Sequence, residues 1–263
     1  MPEPVPARPS ATILLLRDGG SGLEVFMVER HHQIDFATGA LVFPGGKVDA
    51  GDADGHLCAH CRGVDGLDEG ERSLRMAAIR ETFEESGVLL ARLAGEEALV
   101  PCEQRADIDQ RRRDDLHDGR ISMAQLAEEE RLVFACDRLQ PFAHWITPEF
   151  MPKRFDTWFF LAEAPRDQLA LHDGQESVDS LWVRPADAIA LAEAGRRTII
   201  FPTLMNLQKL GRSASVAEAL EAARQDRIVT VFPKLVKRDG EMKMVLPEDA
   251  GYDVVEAPLD VVR

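Results

Sequence analysis

Glu81, Glu84 and Glu85 stand within five residues of one another. In a helix of 3.6 residues per turn, this i, i+3, i+4 spacing gathers all three carboxylates on one face. Met76, Ile79 and Phe83 then fall on roughly the opposite face, where they anchor the helix to a core. Like charges so placed cost a helix ~0.2–0.5 kcal/mol per pair unless a cation sits among them. The donors are hard oxygens without cysteine or histidine, which suits Mg²⁺ or Mn²⁺ over zinc. The same pattern also describes a solvated acidic face, so the cluster alone decides nothing. Upstream, Gly45 and Gly46 permit backbone conformations and close approaches that larger residues forbid. Lys47 beside them is either a phosphate contact or a solvated loop lysine. His56, Cys58, His60 and Cys61 form a third cluster, and Cys58-Ala-His-Cys61 has the spacing of half a structural zinc site. No second pair follows, so reduced thiols in a loop are the expectation there, as they are for Cys102 and Cys136.

The elements that must position these groups are signed locally. The glutamate helix is expected from about Glu71 to Ser86, with Gly87 as its left-handed stop. Ala11 to Arg17 and Glu24 to Arg30 read as strands around a glycine-rich turn, and Leu41 to Phe43 as a short strand entering Pro44-Gly-Gly46. Residues 53–70 are rich in Gly, Asp and His without periodicity, which predicts an irregular insertion. The charged stretch from Glu103 to Glu130 predicts a helical cap. Strands are expected at Pro141 to Ile146, Phe155 to Leu161 and Ser180 to Val183. Helices follow at Pro185 to Ala194 and Ser215 to Arg224, after an apolar stretch from Ile199 to Leu210. A hairpin around Arg238-Asp-Gly240 ends the pattern.

Composition excludes some classes. The chain has 263 residues, 45% hydrophobic and 29% charged, in the range of an ordinary globular protein. A net charge of -15 would repel a nucleic-acid backbone, so no nucleic acid polymer is expected as partner. No stretch has the length of a membrane span or the layout of a signal peptide, so a cytoplasmic location is expected.

Arg80-Glu-Thr-Phe-Glu-Glu-Ser-Gly-Val88 resembles the second half of the Nudix signature, R-E-U-x-E-E-x-G-U, and Gly46 with Asp52 resembles its first half, G-x5-E. Asp replaces Glu in the first half, and Thr82 stands where the signature has an aliphatic residue. Between Asp52 and Arg80 lie 27 residues, where the signature has seven. An alternative register takes Glu71 as the first acid. The resemblance implies an α/β fold: a Nudix-type α/β/α sandwich with a mixed sheet spanning 10–210, an insertion in the box at about 53–70 and a helical cap at about 96–135. Residues 211–263 would be a C-terminal helix and hairpin extension. It further implies that Glu84 and Glu85 are the principal metal ligands and Glu81 a further ligand or general base. Arg80 would orient these carboxylates. A further acid would come from a late loop, for which Glu176 is the candidate. A homodimer is common in such a family.

The split box, Gly39-Ala-Leu-Val-Phe-Pro-Gly-Gly46 and Arg154-Phe-Asp-Thr-Trp-Phe-Phe160 are similar to the branch of peroxisomal acyl-coenzyme A diphosphatases, although Val261-Val-Arg263 is no peroxisomal address. That implies cleavage of coenzyme A or an acyl derivative to 3′,5′-ADP and (acyl-)4′-phosphopantetheine. Arg30, Lys153 and Arg154 are candidate phosphate contacts. ADP-ribose, NADH and nucleotide sugars are the alternative substrates. A non-catalytic nucleotide sensor and a zinc-stapled interaction domain are the competing classes.

Overall fold

A computed structural model describes residues 5–30, 39–165, 177–238 and 240–258. Glu176 lies outside the described residues, and so does the side chain of Arg30.

The chain opens with β1 (Arg8–Gly19) and β2 (Gly22–Arg30), a hairpin paired only near its turn, from Leu16 opposite Val25 to Gly19 opposite Gly22. Beyond Leu16 the two strands part, and the following segment fills the gap. In it, β3 (Leu41–Val42) pairs with β2, and β4 (Gly45–Lys47) pairs with β1 at Ser10 to Thr12. The amide of Ile13 donates to the carbonyl of Pro44 at 2.9 Å, which pins the turn between them. The glycine-rich loop is thereby held as a wedge inside a sheet.

Helix α1 (Glu69–Ser86) begins at Asp68 with a capping box: the Asp68 carboxylate accepts from the Glu71 amide, and the Glu71 carboxylate accepts from the Asp68 amide. It ends where Gly87 turns left-handed at φ 68°, a conformation that costs a side-chain-bearing residue ~1–2 kcal/mol. Met76, Ile79 and Phe83 are buried against the sheet. Next come β5 (Ala91–Leu93), α2 (Cys102–His117), α3 (Met123–Glu130) and β6 (Leu132–Phe134), with β5 and β6 pairing as a small separate ladder. The charged stretch is thus two helices, broken at residues 118–122, where Ser122 caps α3. Its charges pair with one another, Arg111 and Arg112 both reaching Glu130. Ile108, Leu116 and Leu126 turn inward.

The sheet is completed by β7 (Gln140–Ile146), β8 (Phe155–Glu163) and β9 (Ser177–Val183). β1 runs parallel to β8 from Arg8 opposite Phe155 to Leu16 opposite Glu163, and is covered on both faces. That double burial explains why Ile13-Leu-Leu-Leu16 is continuously apolar rather than alternating. Helices α4 (Pro185–Glu193), α5 (Phe201–Leu210) and α6 (Val216–Gln225) follow. Then β10 (Thr230–Val231) adds to the sheet beside β7, and β11 (Lys234–Arg238), β12 (Glu241–Val245) and β13 (Glu256–Pro258) form a three-stranded antiparallel sheet.

Two cores flank the large mixed sheet, which makes an α/β/α sandwich. One joins Ile13 and Phe26 to α1 and the cap; the other joins Leu14, Leu16 and Trp145 to α5, α6 and the C-terminal sheet through Met244 and Tyr252. The insertion is irregular but packed: Leu57 and Val64 are buried in the first core, and Arg62 bonds through its backbone to Phe134 and Asp137. Cys61 turns to the Met76 sulfur at 3.5 Å while Cys58 faces solvent, so the two cysteines with half-site spacing have different surroundings. Among the described residues, no helix is long and apolar enough to cross a membrane.

Candidate active site

The carboxylates of α1 and the β3–β4 wedge meet around Arg80. Its guanidinium grips Asp52 with two bonds, Nε to Oδ1 and Nη2 to Oδ2, each 2.9 Å. Nη1 donates to Glu81 at 2.9 Å and Glu84 at 3.1 Å, and Nη2 also reaches the Lys47 carbonyl at 2.9 Å. Arg80 and Asp52 are almost wholly buried. Asp52, rather than Glu71, is therefore the acid that meets Arg80, since the Glu71 carboxylate is engaged at the start of α1. Asp52 also accepts the Asp49 amide at 2.8 Å, so its oxygens are taken up in fixing Arg80 and the loop.

Burial works against the charge on Arg80, but the bonds and charge of Asp52, with Glu81 and Glu84, more than offset it and hold the guanidinium above its ordinary pKa. Glu84 shows the opposite balance. Burial lifts its carboxyl to about 7; the charge and hydrogen bond of Arg80 offset only part of this, and Asp52 and Asp49 add repulsion. Glu85 accepts the Gly45 amide at 2.9 Å, which ties α1 to the wedge.

Glycine is required twice here. A Cβ on Gly46 would lie 2.3–2.6 Å from the Glu81 carboxylate, and one on Gly45 would lie 2.5 Å from the Ala11 carbonyl oxygen and the Thr12 hydroxyl oxygen. The bare backbone at 45–46 is what admits the carboxylates to the cavity beside it. From the far end of α1, Arg113 on α2 donates through Nε to the Glu84 carbonyl at 2.8 Å. This bond links the cap to the backbone that carries two of the acids.

The cavity has a volume of about 1490 Å³, larger than the ~300–1,000 Å³ of a common small-molecule site. Glu81, Glu84, Glu85, Arg80, Asp52, Gly45, Gly46, Lys47, Lys153 and Arg154 all line it. The structure thus brings together the predicted residues whose side chains it describes, Glu176 and Arg30 being the ones outside. Arg154 is partly engaged: Nε donates to the Thr147 carbonyl at 3.0 Å, Nη1 to the Val5 carbonyl at 2.6 Å, and its guanidinium lies 5.8 Å from the Phe232 ring. Lys47 is exposed at the rim.

Sequence reasoning missed Arg8, Ser10, Thr12 and Thr157, which line the same cavity from β1 and β8. A signal was present in the alternation of Ser10 and Thr12 with apolar Ala11 and Ile13, which marks a polar half-face. His117, at the tip of the cap, also lines the cavity and carried no sequence signal.

Among the described residues, no three carboxylate, histidine or cysteine side chains converge as a ready-made metal cluster. The chemistry of the donors nevertheless fits a hard divalent cation. Glu81, Glu84 and Glu85 are oxygen donors crowded beside one arginine, and a cation would relieve the charge that burial penalises at Glu84.

Comparison with known proteins places this geometry. A family model for the NUDT19 Nudix domain matches residues 65–210. The acyl-coenzyme A diphosphatase NUDT19 of Xenopus laevis is 24% identical over an alignment covering 75% of this chain and 62% of that protein. The Gallus gallus protein of the same name is 27% identical, covering 89% and 75% respectively. A putative nudix hydrolase 7 of Caenorhabditis elegans is 27% identical, and this chain spans 56% of its length. Thus the chain spans less than two thirds of the frog and worm relatives. Among solved structures, a NUDIX hydrolase from Alicyclobacillus acidocaldarius superposes with a TM-score of 0.64 at 27% identity, covering 82% of this chain and 96% of that one. With the Arg80 to Val88 helix end, the glycine wedge and a family match over more than half its length, the chain belongs to the Nudix hydrolase family, in its NUDT19 branch.

Proposed function

We propose that this protein hydrolyses the diphosphate bond of coenzyme A or an acyl-coenzyme A with the help of Mg²⁺ or Mn²⁺, releasing 3′,5′-ADP and (acyl-)4′-phosphopantetheine. The observation that carries the reading is one large cavity lined both by the acidic residues of α1 and by the cations Arg8, Lys47, Lys153 and Arg154. The names of the frog and chicken relatives agree with it.

Glu81, Glu84 and Glu85 would hold the cation, which when bound supplies charge to offset the diphosphate and lowers the pKa of water. Arg80 would orient these carboxylates through Nη1, which bonds Glu81 and Glu84, while Asp52 holds the other side of its guanidinium through Nε and Nη2. Lys47, Lys153 and Arg154 line the side from which phosphate oxygens would approach, with Arg8 beside them. Arg30 belongs to the same proposal as a phosphate contact, and Glu176 as a further acid. The wedge backbone at Gly45 and Gly46 lets the substrate approach without steric hindrance. A cytoplasmic homodimer belongs to the same reading and is checked by cell fractionation and light scattering.

The test is hydrolysis of coenzyme A, an acyl-coenzyme A, ADP-ribose, NADH and a nucleotide sugar with Mg²⁺ or Mn²⁺, products being identified by mass and Glu84→Gln run beside the wild type. Release of 3′,5′-ADP by the wild type alone is expected. Cleavage of another diphosphate instead would overturn the substrate assignment, and no turnover of any would favour a binding module.

A further inference from the structure

Two cysteines far apart in the chain meet behind the active site. Cys61 caps the last 3₁₀ turn of the insertion, and Cys136 opens the turn that follows β6. The backbone docks one against the other. Cys61 forms a parallel bridge to Phe134, the Arg62 amide donates to the Phe134 carbonyl at 2.9 Å, and the Asp137 amide donates to the Arg62 carbonyl at 2.9 Å. Residues 61–62 thus run beside 134–137, and the Cys61 and Cys136 thiols are hydrogen-bonded to each other. Backbones paired this closely, with sulfurs facing, meet the first demand of a disulfide, that its two chain segments already lie side by side.

The two thiols differ in access and in acidity. Cys136 is 1% exposed, whereas Cys61 is partly exposed and lines a small cavity of about 70 Å³ together with Cys58 and Asp52. That space admits a molecule the size of water or a peroxide and excludes bulky reagents. The hydrogen bond with Cys136 outweighs burial and holds the Cys61 thiol below its ordinary pKa, while the same bond and burial push Cys136 up. Arg75 brings positive charge to the pair from α1, and its buried Nε has no hydrogen-bond partner. An acidified, reachable thiol with a second thiol behind it is the arrangement of a reactive cysteine and its resolving partner.

We propose that Cys61 and Cys136 are a redox pair, which hydrogen peroxide converts to a disulfide that locks the insertion onto the returning strand of the cap. The Cys61 thiolate attacks one peroxide oxygen, the O–O bond breaks, and the departing hydroxide takes up a proton as water. The Cys136 sulfur then attacks the Cys61 sulfenic acid, and the sulfenic oxygen leaves as a second water with the Cys136 proton. Both sulfurs are oxidised and both peroxide oxygens reduced. What the bond holds is the segment that begins just after Asp52, the partner of Arg80. The pair acts whatever diphosphate the enzyme cuts.

The experiment treats the reduced full-length protein with hydrogen peroxide and maps its thiols by mass after digestion without reductant, in wild type, Cys58→Ser, Cys61→Ser and Cys136→Ser. Peptides joined through Cys61 and Cys136 are expected in wild type and in Cys58→Ser, with two of the four wild-type thiols lost and both restored by dithiothreitol. Oxidation should raise the wild-type melting temperature by about 5 °C or more, because the crosslink restricts the unfolded chain. It should also slow amide exchange over residues 55–62 about tenfold, and Cys61→Ser and Cys136→Ser should show neither effect. A Cys58–Cys61 crosslink, a Cys61 sulfinic acid beside a reduced Cys136, or four intact thiols overturns the pair. A Cys61–Cys136 bond that changes neither melting nor exchange overturns its action as a lock. The wild-type peptide map decides the pairing even if Cys136→Ser fails to fold.

Discussion

Replacing Asp52 by Asn tests the arrangement around Arg80 most directly. The wild-type carboxylate takes two 2.9 Å bonds from the guanidinium, and its side chain is 1% exposed. Removing one partner of a buried ion pair costs about 3–5 kcal/mol, because the other charge is left uncompensated. Glu81 and Glu84 still neutralise Arg80 and Asn keeps one acceptor, so about 2–3 kcal/mol is expected here. Arg80 would also turn further onto Glu81 and Glu84 and compete with a cation. A unit charge several ångströms from a divalent ion is worth ~1 kcal/mol even at the permittivity of water, so half-saturating Mg²⁺ should rise about fivefold or more. The comparison is Glu71→Gln, which alters only a helix-start contact and should cost about 0.5 kcal/mol with no change in the metal requirement. Urea denaturation of the cation-free proteins and Mg²⁺ titration of turnover measure both. A Glu71→Gln loss equal to or greater than that of Asp52→Asn, or an Asp52→Asn protein with wild-type stability and metal response, refutes the reasoning.

Glu84 makes the cation-free protein pH-sensitive: its folded pKa of about 7 lies above the ordinary 4.5, so its contribution is full below pH 4.5 and is lost as pH rises toward 7. Up to ~3 kcal/mol is at stake, and the pH slope of the melting temperature should flatten in Glu84→Gln and when Mg²⁺ is added. Gly46→Ala should lower kcat at least tenfold with little change in melting temperature, because its Cβ strikes the movable end of Glu81 rather than backbone; wild-type kcat would contradict this. Arg113→Gln removes the bond to the Glu84 carbonyl, worth ~1.5–3 kcal/mol for a charged donor. Steady-state kinetics should show kcat falling about tenfold with KM nearly unchanged, and an effect confined to KM would assign Arg113 to substrate binding instead.

The parts of the site readable from sequence are those whose chemistry is local. Glu81, Glu84 and Glu85 share a face by spacing alone, and Gly87 stops the helix because only there does the backbone turn left-handed. The partner of Arg80 was open between Asp52 and Glu71, since residue 52 reaches it across an insertion whose path no local rule predicts. The insertion itself looked irregular because its anchors, Leu57 and Val64, are isolated apolar residues without a period. The strand at Gly45–Lys47 is invisible to pattern reading, as glycine offers no alternation to detect. For the same reason the tail read only as a hairpin: that Met244 meets Trp145 and Phe201 at one cavity depends on packing between segments far apart in the chain.

The parallel pairing of β1 with β8 also governs how the chain is made. Arg8 must wait for Phe155 and Leu16 for Glu163, so the middle of the sheet cannot close until most of the chain has left the ribosome. At ~5–20 residues per second that delay is about 7–30 s. Throughout it, Ile13-Leu-Leu-Leu16 lacks the strand that pairs along its whole length, and the layer built by α5, α6 and the C-terminal sheet follows later still. The most apolar run of the protein thus emerges well before the strand and the second layer that shelter it, which makes the nascent chain a natural client for chaperones and gives that interval its aggregation risk.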